Sequence, residues 1–379
     1  MRQTEENLIK VLIIDDSAFM RKSLTLMLES DKEIRVIATA RDGNDGIEKI
    51  SKLKPDIVTL DVEMPEMDGL TALKIIMEKM PLPVLMVSSL TTEGAQATMQ
   101  AFDLGAVDFI SKDLASLSTN IKNIKGELIE KIKQIARSRL VQTRFRMRRL
   151  VQSTREKKGQ LRPLARPISF ESVAPDLQAV VVGISTGGPE ALNKLIPKIP
   201  EAFPVGMAIV QHMPPHFTRS LAERLDSISK VRVKEAESGD IVERGKILIA
   251  PGGRHMTFKN DGSLVTTVIS DEPANALYRP SADIMMKSAV TSFRGPLLGV
   301  IMTGMGKDGL EGLKEIKASG GYVIAQDEES CIVYGMPQAA LDEGVVDSMV
   351  SLDNIATAFQ RFTKIRVPAF KSMERGDSI

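Results

Sequence analysis

The chain of 379 residues has no tryptophan, one cysteine and three histidines, and aromatic side chains make up only 4% of it. Its cores must therefore be filled by aliphatic residues and methionine. A single cysteine, Cys331, cannot form an internal disulfide, which points to a reducing compartment. No apolar run approaches the ~20 residues that a membrane-spanning helix needs. The polar opening MRQTEENLIK also lacks the apolar stretch of a secretion signal. A soluble, cytoplasmic protein without stable membrane insertion is expected.

What is present bounds the answer further. Hydrophobic residues are 43% and charged residues 26% of the chain, which excludes a disordered or collagen-like protein. The length suits two domains of roughly 100–200 residues each. The net charge of +1 hides an asymmetry, because residues 122–166 carry fifteen Lys/Arg against three Asp/Glu. Residues 1–114 carry thirteen basic and twenty acidic side chains. An acidic first domain is thus followed by a basic tether.

From Lys10 to Lys112 short Val/Ile-rich runs alternate with amphipathic stretches. The strand candidates are residues 11–15, 34–40, 56–60, 83–89 and 106–110, and a last helix is expected over 116–138. This alternation signals a parallel sheet covered on both faces, in a flavodoxin-like doubly wound domain. A second alternation begins at Ala179, with strands expected over 179–184, 206–211, 296–302 and 322–325. The stretch from Val231 to Ile269 has shorter runs and Gly turns and reads as a β-rich insertion. The second domain is therefore also α/β, with a mainly parallel sheet.

Functional groups in such sheets collect at the carboxyl ends of the strands. In the first domain those ends carry Asp15, Asp16, Asp61 and Ser88, with Lys112 just past the fifth strand. Three neighbouring carboxylates repel one another unless a hard cation such as Mg²⁺ sits among them. One of them can then act as a nucleophile toward a phosphoryl donor, while a hydroxyl and an ammonium bind phosphoryl oxygens. Helix capping accounts for an aspartate such as Asp16, but not for four strand ends plus a lysine. The segments VLIIDDSAFMRKSL, DIVTLDVEMPEMDGL, VLMVSS and GAVDFISK resemble the phospho-acceptor receiver domain of two-component response regulators. The resemblance covers residues 10 to about 138. It implies that Asp61 is phosphorylated by a histidine kinase and that Asp15, Asp16 and Asp61 hold Mg²⁺. It makes Ser88 the switch hydroxyl, Phe109 the mobile aromatic and Lys112 the lysine that pairs with the phosphoryl group.

In the second domain Gly183-Ile184-Ser185-Thr186-Gly187 follows a strand and opens a helix, matching G-x-S-x-G in the right context. A Walker loop is excluded, since no Gly-Lys-Ser/Thr follows. A serine nucleophile needs a base, and all three histidines lie in this half. His212 ends the next strand and ranks first. His216, at the start of the following helix, is a rival, and His255 is less easily placed. Asp308, in a Gly-rich loop after a strand, is the best carboxylate to orient the imidazole, through Nδ1. Asp283 and Asp240 are alternatives in weaker contexts. The order Ser…His…Asp differs from that of the α/β-hydrolases.

The segments VVGISTGGPEAL, IVQHMPPHFTRSLAERL, ILIAPGGRHM, YRPSADIMM and VIMTGMGKDGLEGL resemble the catalytic domain of the chemotaxis protein-glutamate methylesterases, the CheB family. The likeness runs from about Gln178 to about Phe362, and the domain order agrees. It implies Ser185 as nucleophile, His212 as base and Asp308 as orienting acid, with Thr186 and Met305 supplying backbone oxyanion donors. The implied substrates are methylated glutamates of chemoreceptors, with methanol released, and receptor glutamines deamidated by the same acyl chemistry. No cofactor is expected for the hydrolysis and no nucleic acid as partner. The expected division is a receiver over 1–138, a basic linker over 139–176, a catalytic domain over 177–365 and a tail over 366–379. The linker reads first as a solvated spacer. Substituting Arg144, Arg146, Arg148 and Arg149 is expected to weaken receptor association at low salt.

Overall fold

The computed structural model describes residues 8–112, 117–138 and 177–363, together with Val141, Thr143 and Phe145. The four arginines of the linker and the tail over 366–379 lie outside the described residues.

Five strands, β1 (Ile9–Ile14), β2 (Ile34–Ala40), β3 (Ile57–Asp61), β4 (Val84–Ser88) and β5 (Asp108–Ser111), form a parallel sheet in the order β2-β1-β3-β4-β5. This is the flavodoxin-like order. The helices between them are α1 (Ala18–Leu28), α2 (Gly43–Leu53), α3 (Gly69–Lys79) and α4 (Thr92–Leu104), followed by α5 (Leu117–Arg137). Strands β3 and β4 are buried along their whole length, as expected where helices cover both faces. Side-chain caps start the helices: Ser17, Asp42, Asp68 and Thr91 each accept from a backbone N–H of the first turn.

The second sheet contains β6 (Ala179–Ile184), β7 (Gly206–Gln211), β8 (Arg232–Glu235), β9 (Lys246–Ile249), β12 (Leu297–Ile301), β13 (Tyr322–Gln326) and β14 (Ser348–Val350). All neighbours are parallel, in the order β14-β13-β12-β6-β7-β9-β8. Its helices are α6 (Gly188–Leu195), α7 (Phe217–Ile228), α8 (Ala282–Ser292), α9 (Leu310–Ala318), α10 (Met336–Asp342) and α11 (Leu352–Thr363). The stretch read as a β-rich insertion divides in two. Strands β8 and β9 extend the parallel sheet, and only β10 (His255–Asn260) and β11 (Val265–Ser270) form a separate antiparallel hairpin.

The order in which strands are added reverses at β6. The next strand in sequence, β7, lies on one side of it and β12 on the other, and such a switch point is where α/β sheets open a crevice.

The two sheets are brought together through helices. Helix α4 packs against α7 and α6. The Phe109 ring from β5 stacks on Phe217, the first residue of α7, with centroids 4.4 Å apart and planes 12° apart. Arg224 of α7 pairs with Asp103 of α4 at 3.0 Å. Among the described residues, no helix is long and apolar enough to cross a membrane.

Candidate functional site

Two clusters sit at the carboxyl edges of the two sheets. In the first, Asp15 and Asp16 follow β1, Asp61 closes β3, Ser88 closes β4 and Lys112 follows β5. One carboxylate oxygen from each of Asp15, Asp16 and Asp61 lies within 4.8 Å of the others. Lys112 Nζ is 3.0 Å from Asp15 Oδ2 and 2.6 Å from Asp61 Oδ2. Burial pushes the Asp61 carboxyl up to about 6; Lys112 opposes that shift and the Asp15 charge adds to it. For Lys112, burial favours the neutral amine, yet Asp61 and Asp15 outweigh it and hold the ammonium above its usual value. Asp16 is exposed while Asp15 and Asp61 are buried. A set of hard oxygens with one member open to water fits Mg²⁺, which keeps several of its own waters.

The residues around this cluster are in ordinary resting contacts. Ser88 Oγ donates to the Gly94 carbonyl at 3.1 Å. Phe109 is buried between Phe217 and Phe102, the latter edge-on at 6.2 Å. Lys131 of α5 donates to the Phe109 carbonyl at 2.8 Å, pairs with Asp108 at 3.1 Å and lies 5.5 Å over the Phe109 ring. One lysine thus grips the backbone and the ring of the residue that meets the second domain.

The second cluster is built around Ser185. Strands β6 and β7 are in register at Ile184 and Gln211, so Ser185 and His212 emerge side by side from neighbouring strands. Backbone bonds fix both: Ser185 N–H donates to Thr303 O at 3.0 Å, and His212 N–H to Ile184 O at 3.1 Å. Gln211 Nε2 donates to Ser185 O at 2.9 Å. The turn passes into α6 through Gly187, whose φ of +77° is a left-handed conformation that glycine adopts without strain. On the other side, the loop after β12 presses against Ser185. A Cβ on Gly304 would lie 2.8 Å from Ser185 Cβ, so glycine is required there for close approach.

His212 Nε2 lies 2.8 Å from Asp308 Oδ2. Asp308 also accepts from Ser281 Oγ at 2.8 Å, from Ala282 N–H at 2.6 Å and from Asp283 N–H at 3.2 Å. These last two N–H groups open α8, so the carboxylate sits on the positive end of a helix. Burial works to raise the Asp308 pKa, but His212, Ala282 and Ser281 outweigh it and hold the carboxyl below its usual value. An ionised carboxylate only accepts, so the shared proton belongs to Nε2. This corrects the expectation that Asp308 would meet Nδ1. Nδ1 is buried with no hydrogen-bond partner among the described residues.

The other histidines lie elsewhere. His216 is exposed at the N-terminus of α7 with φ of +73°. His255 is fully buried at the head of β10, and burial pushes its pKa below the usual histidine value. Of the alternative acids, Asp283 accepts from Gly312 N–H at 2.8 Å, and Asp240 pairs with Lys234 and Lys246. Neither is the acid bonded to His212. Thr186 is buried beside Ser185, and Met305 follows the Gly304 contact. Among the described residues, neither of their N–H groups makes a backbone hydrogen bond.

Two residues of this cluster have no role in the sequence reading. Ser281 is the N-cap of α8 and a hydrogen-bond donor to Asp308; a serine immediately before a helical run signals the cap but not its distant partner. Tyr278 stacks on the His212 ring with centroids 4.6 Å apart and planes within 1°, and no local pattern signals that contact.

Comparison with known proteins follows the same division. Residues 180–359 match the family model described as CheB methylesterase, and residues 11–122 match that of the response regulator receiver domain. A protein of Oleidesulfovibrio alaskensis, named protein-glutamate methylesterase/protein-glutamine glutaminase 1, is 50% identical over 93% of this chain and 98% of its own length. A Pyrococcus abyssi protein named protein-glutamate methylesterase/protein-glutamine glutaminase is 48% identical over 92% of this chain and 91% of its own length. Among solved structures, the Thermotoga maritima CheB methylesterase catalytic domain is 41% identical, with a TM-score of 0.47, and matches 49% of this chain and 98% of that one.

Proposed function

The chain belongs to the CheB methylesterase family, here joined to a response-regulator receiver domain, and from that premise we propose the following chemistry for its residues. The protein hydrolyses the side-chain methyl esters of methylated glutamates on chemoreceptors and deamidates receptor glutamines. Ser185 Oγ attacks the side-chain carbonyl carbon while His212 Nδ1 takes its proton, and Asp308 holds the imidazolium through Nε2. The N–H groups of Thr186 and Met305 stabilise the oxyanion. When the tetrahedral intermediate collapses, the leaving group takes the proton from His212 and departs as methanol, or as ammonia from a glutamine. Water then attacks the acyl-serine. His212 takes its proton and returns it to Ser185 Oγ, freeing the receptor glutamate. The observation that carries this reading is the bond between His212 and Asp308, with Ser185 beside His212 on the neighbouring strand.

Asp61 is the phospho-acceptor, with a histidine kinase as donor. A divalent cation held by Asp15, Asp16 and Asp61 would, when bound, offset their charge and that of phosphoryl oxygens. Lys112 pairs with the phosphoryl group and Ser88 turns from the Gly94 carbonyl toward it. Phe109 follows, and its contact with Phe217 loosens. The receiver over 1–138 thereby ceases to restrain the catalytic domain over 177–365, a shift between two arrangements of one chain. The linker over 139–176 keeps the two together.

Methanol release from methylated receptor membranes, with and without a small phosphodonor and Mg²⁺, tests both halves. Release should need Ser185 and should rise with phosphodonor in the wild type but not in Asp61→Asn. Turnover that survives Ser185→Ala would sink the hydrolytic reading.

A further inference from the structure

The base has a second neighbour besides Asp308. A hydrogen bond at Nε2 fixes one corner of the imidazole, not its plane. The backbone bonds of His212, to Ile184 O at 3.1 Å and from Gln211 Nε2 at 3.2 Å, hold the main chain and leave the ring free to turn. The contact that lies along the face of the ring and restricts this turning is the parallel stack on Tyr278. We propose that Tyr278 is a positioning residue for the general base: its ring sets the plane of His212, so that Nδ1 is aimed at Ser185 while Nε2 stays on Asp308.

Tyr278 is itself wedged against the loop that carries Met305. A methyl group on Gly306 would lie 2.8 Å from the Tyr278 hydroxyl oxygen. One ring therefore touches the face of the base and the residue after an oxyanion donor. Tyr278 is half-buried, and its neighbour Leu277 is 85% exposed, so the ring lies at the mouth of the site where a protein substrate must approach. It touches no reacting atom. Its effect passes through His212, and a small misplacement of a catalytic group is costly.

The inference rests on reading Ser185, His212 and Asp308 as a hydrolytic triad, and its test separates the two. Steady-state methanol release should show kcat reduced about tenfold in Tyr278→Leu, with KM changed less than about twofold. Tyr278→Phe, which keeps the ring, should stay within about twofold of wild type. Without substrate, the downfield proton resonance of the His212–Asp308 hydrogen bond should persist in wild type and Tyr278→Phe and be lost to water exchange in Tyr278→Leu. Should the leucine variant fail to fold, Tyr278→Met offers a second side chain that cannot stack at the same place, and it should broaden the resonance and lower kcat. A leucine variant that keeps its resonance and its kcat overturns the proposal, as does a phenylalanine variant as impaired as the leucine one. If wild type releases no methanol, the triad reading falls, while the resonance still decides whether Tyr278 holds His212.

Discussion

Asp61 and Asp308 occupy equivalent places at the carboxyl edges of two parallel sheets and are similarly buried, at 2% and 6% exposure. Their carboxyls nevertheless move in opposite directions, Asp61 up to about 6 and Asp308 below the usual range. Burial pushes both upward, so it cannot be what separates them. The partners do. Asp308 receives two N–H groups from the start of α8, the Ser281 hydroxyl and His212. Asp61 shares Lys112 with Asp15, and three carboxylates crowd one place. One site is a finished electrostatic balance that keeps a charge in place. The other is an unfinished one that a cation and a phosphoryl group would complete.

The largest expected effect breaks the finished site. Asp308→Asn removes the charge that fixes the His212 tautomer, and kcat for methanol release should fall by about 10⁴, as for the equivalent change in serine proteases. Asp61→Asn should show nothing of that size without phosphodonor and should abolish the response to it. Equal losses in the two variants would mean that the sites are not divided between control and chemistry.

Stability should show the contrast with opposite signs. Asp61, with its folded value raised to about 6 above an unfolded value of ~3.9, costs stability once pH rises through about 6. An uncharged isostere relieves that cost. Asp61→Asn should therefore stabilise the cation-free protein at neutral pH by about 1–3 kcal/mol, and the gain should fade as pH falls toward ~4. For Asp308 the folded value is depressed, so its contribution is present above ~3.9 and is lost as pH falls through the folded value. Asp308→Asn should destabilise at neutral pH by about 1 kcal/mol or more. Denaturant unfolding at several pH values in chelator-containing buffer checks both signs.

How far the sequence foretold these two sites differs in an instructive way. The strand ends were legible, because a run such as DIVTL followed at once by Asp61 reads as a buried parallel strand with its chemistry at the tip. Ser185 and His212 stand just past strand ends in the same way, whereas Asp308 lies in the Gly-rich loop between β12 and α9. What was not legible depends on groups far apart in the chain. The nitrogen that Asp308 meets depends on where α8 presents its N-terminus, and the stack of Tyr278 on His212 joins β7 to a loop without regular structure. Strands β8 and β9 read as an insertion because RVKE and KILI are runs of only four residues separated by Gly turns. The use of Phe109 as a bridge to Phe217 was hidden too, since a receiver pattern names the aromatic but not what covers it.

That bridge gives the next prediction. Phe109→Ala removes a stacked pair worth about 0.5–1.5 kcal/mol beyond its buried area. Unphosphorylated activity should then rise about 3- to 10-fold, with a correspondingly smaller further gain from phosphodonor. If methanol release without phosphodonor is unchanged, the aromatic contact does not hold the resting arrangement.

The smallest effect should come from the other link across the same contact. Arg224 and Asp103 meet at 3.0 Å, but each side chain is more than a third exposed, at 37% and 38%. Water and salt screen such a pair, and its worth is at most about 1 kcal/mol. Arg224→Ala should raise unphosphorylated activity by at most about fivefold at low salt, and the difference should vanish near 1 M salt, where screening acts within about 3 Å. The Phe109→Ala effect should survive that salt, because stacking does not depend on net charge. A salt-sensitive Phe109→Ala effect together with a salt-insensitive Arg224→Ala effect would reverse the assignment and make the ion pair, not the rings, the element that keeps the two sites coupled.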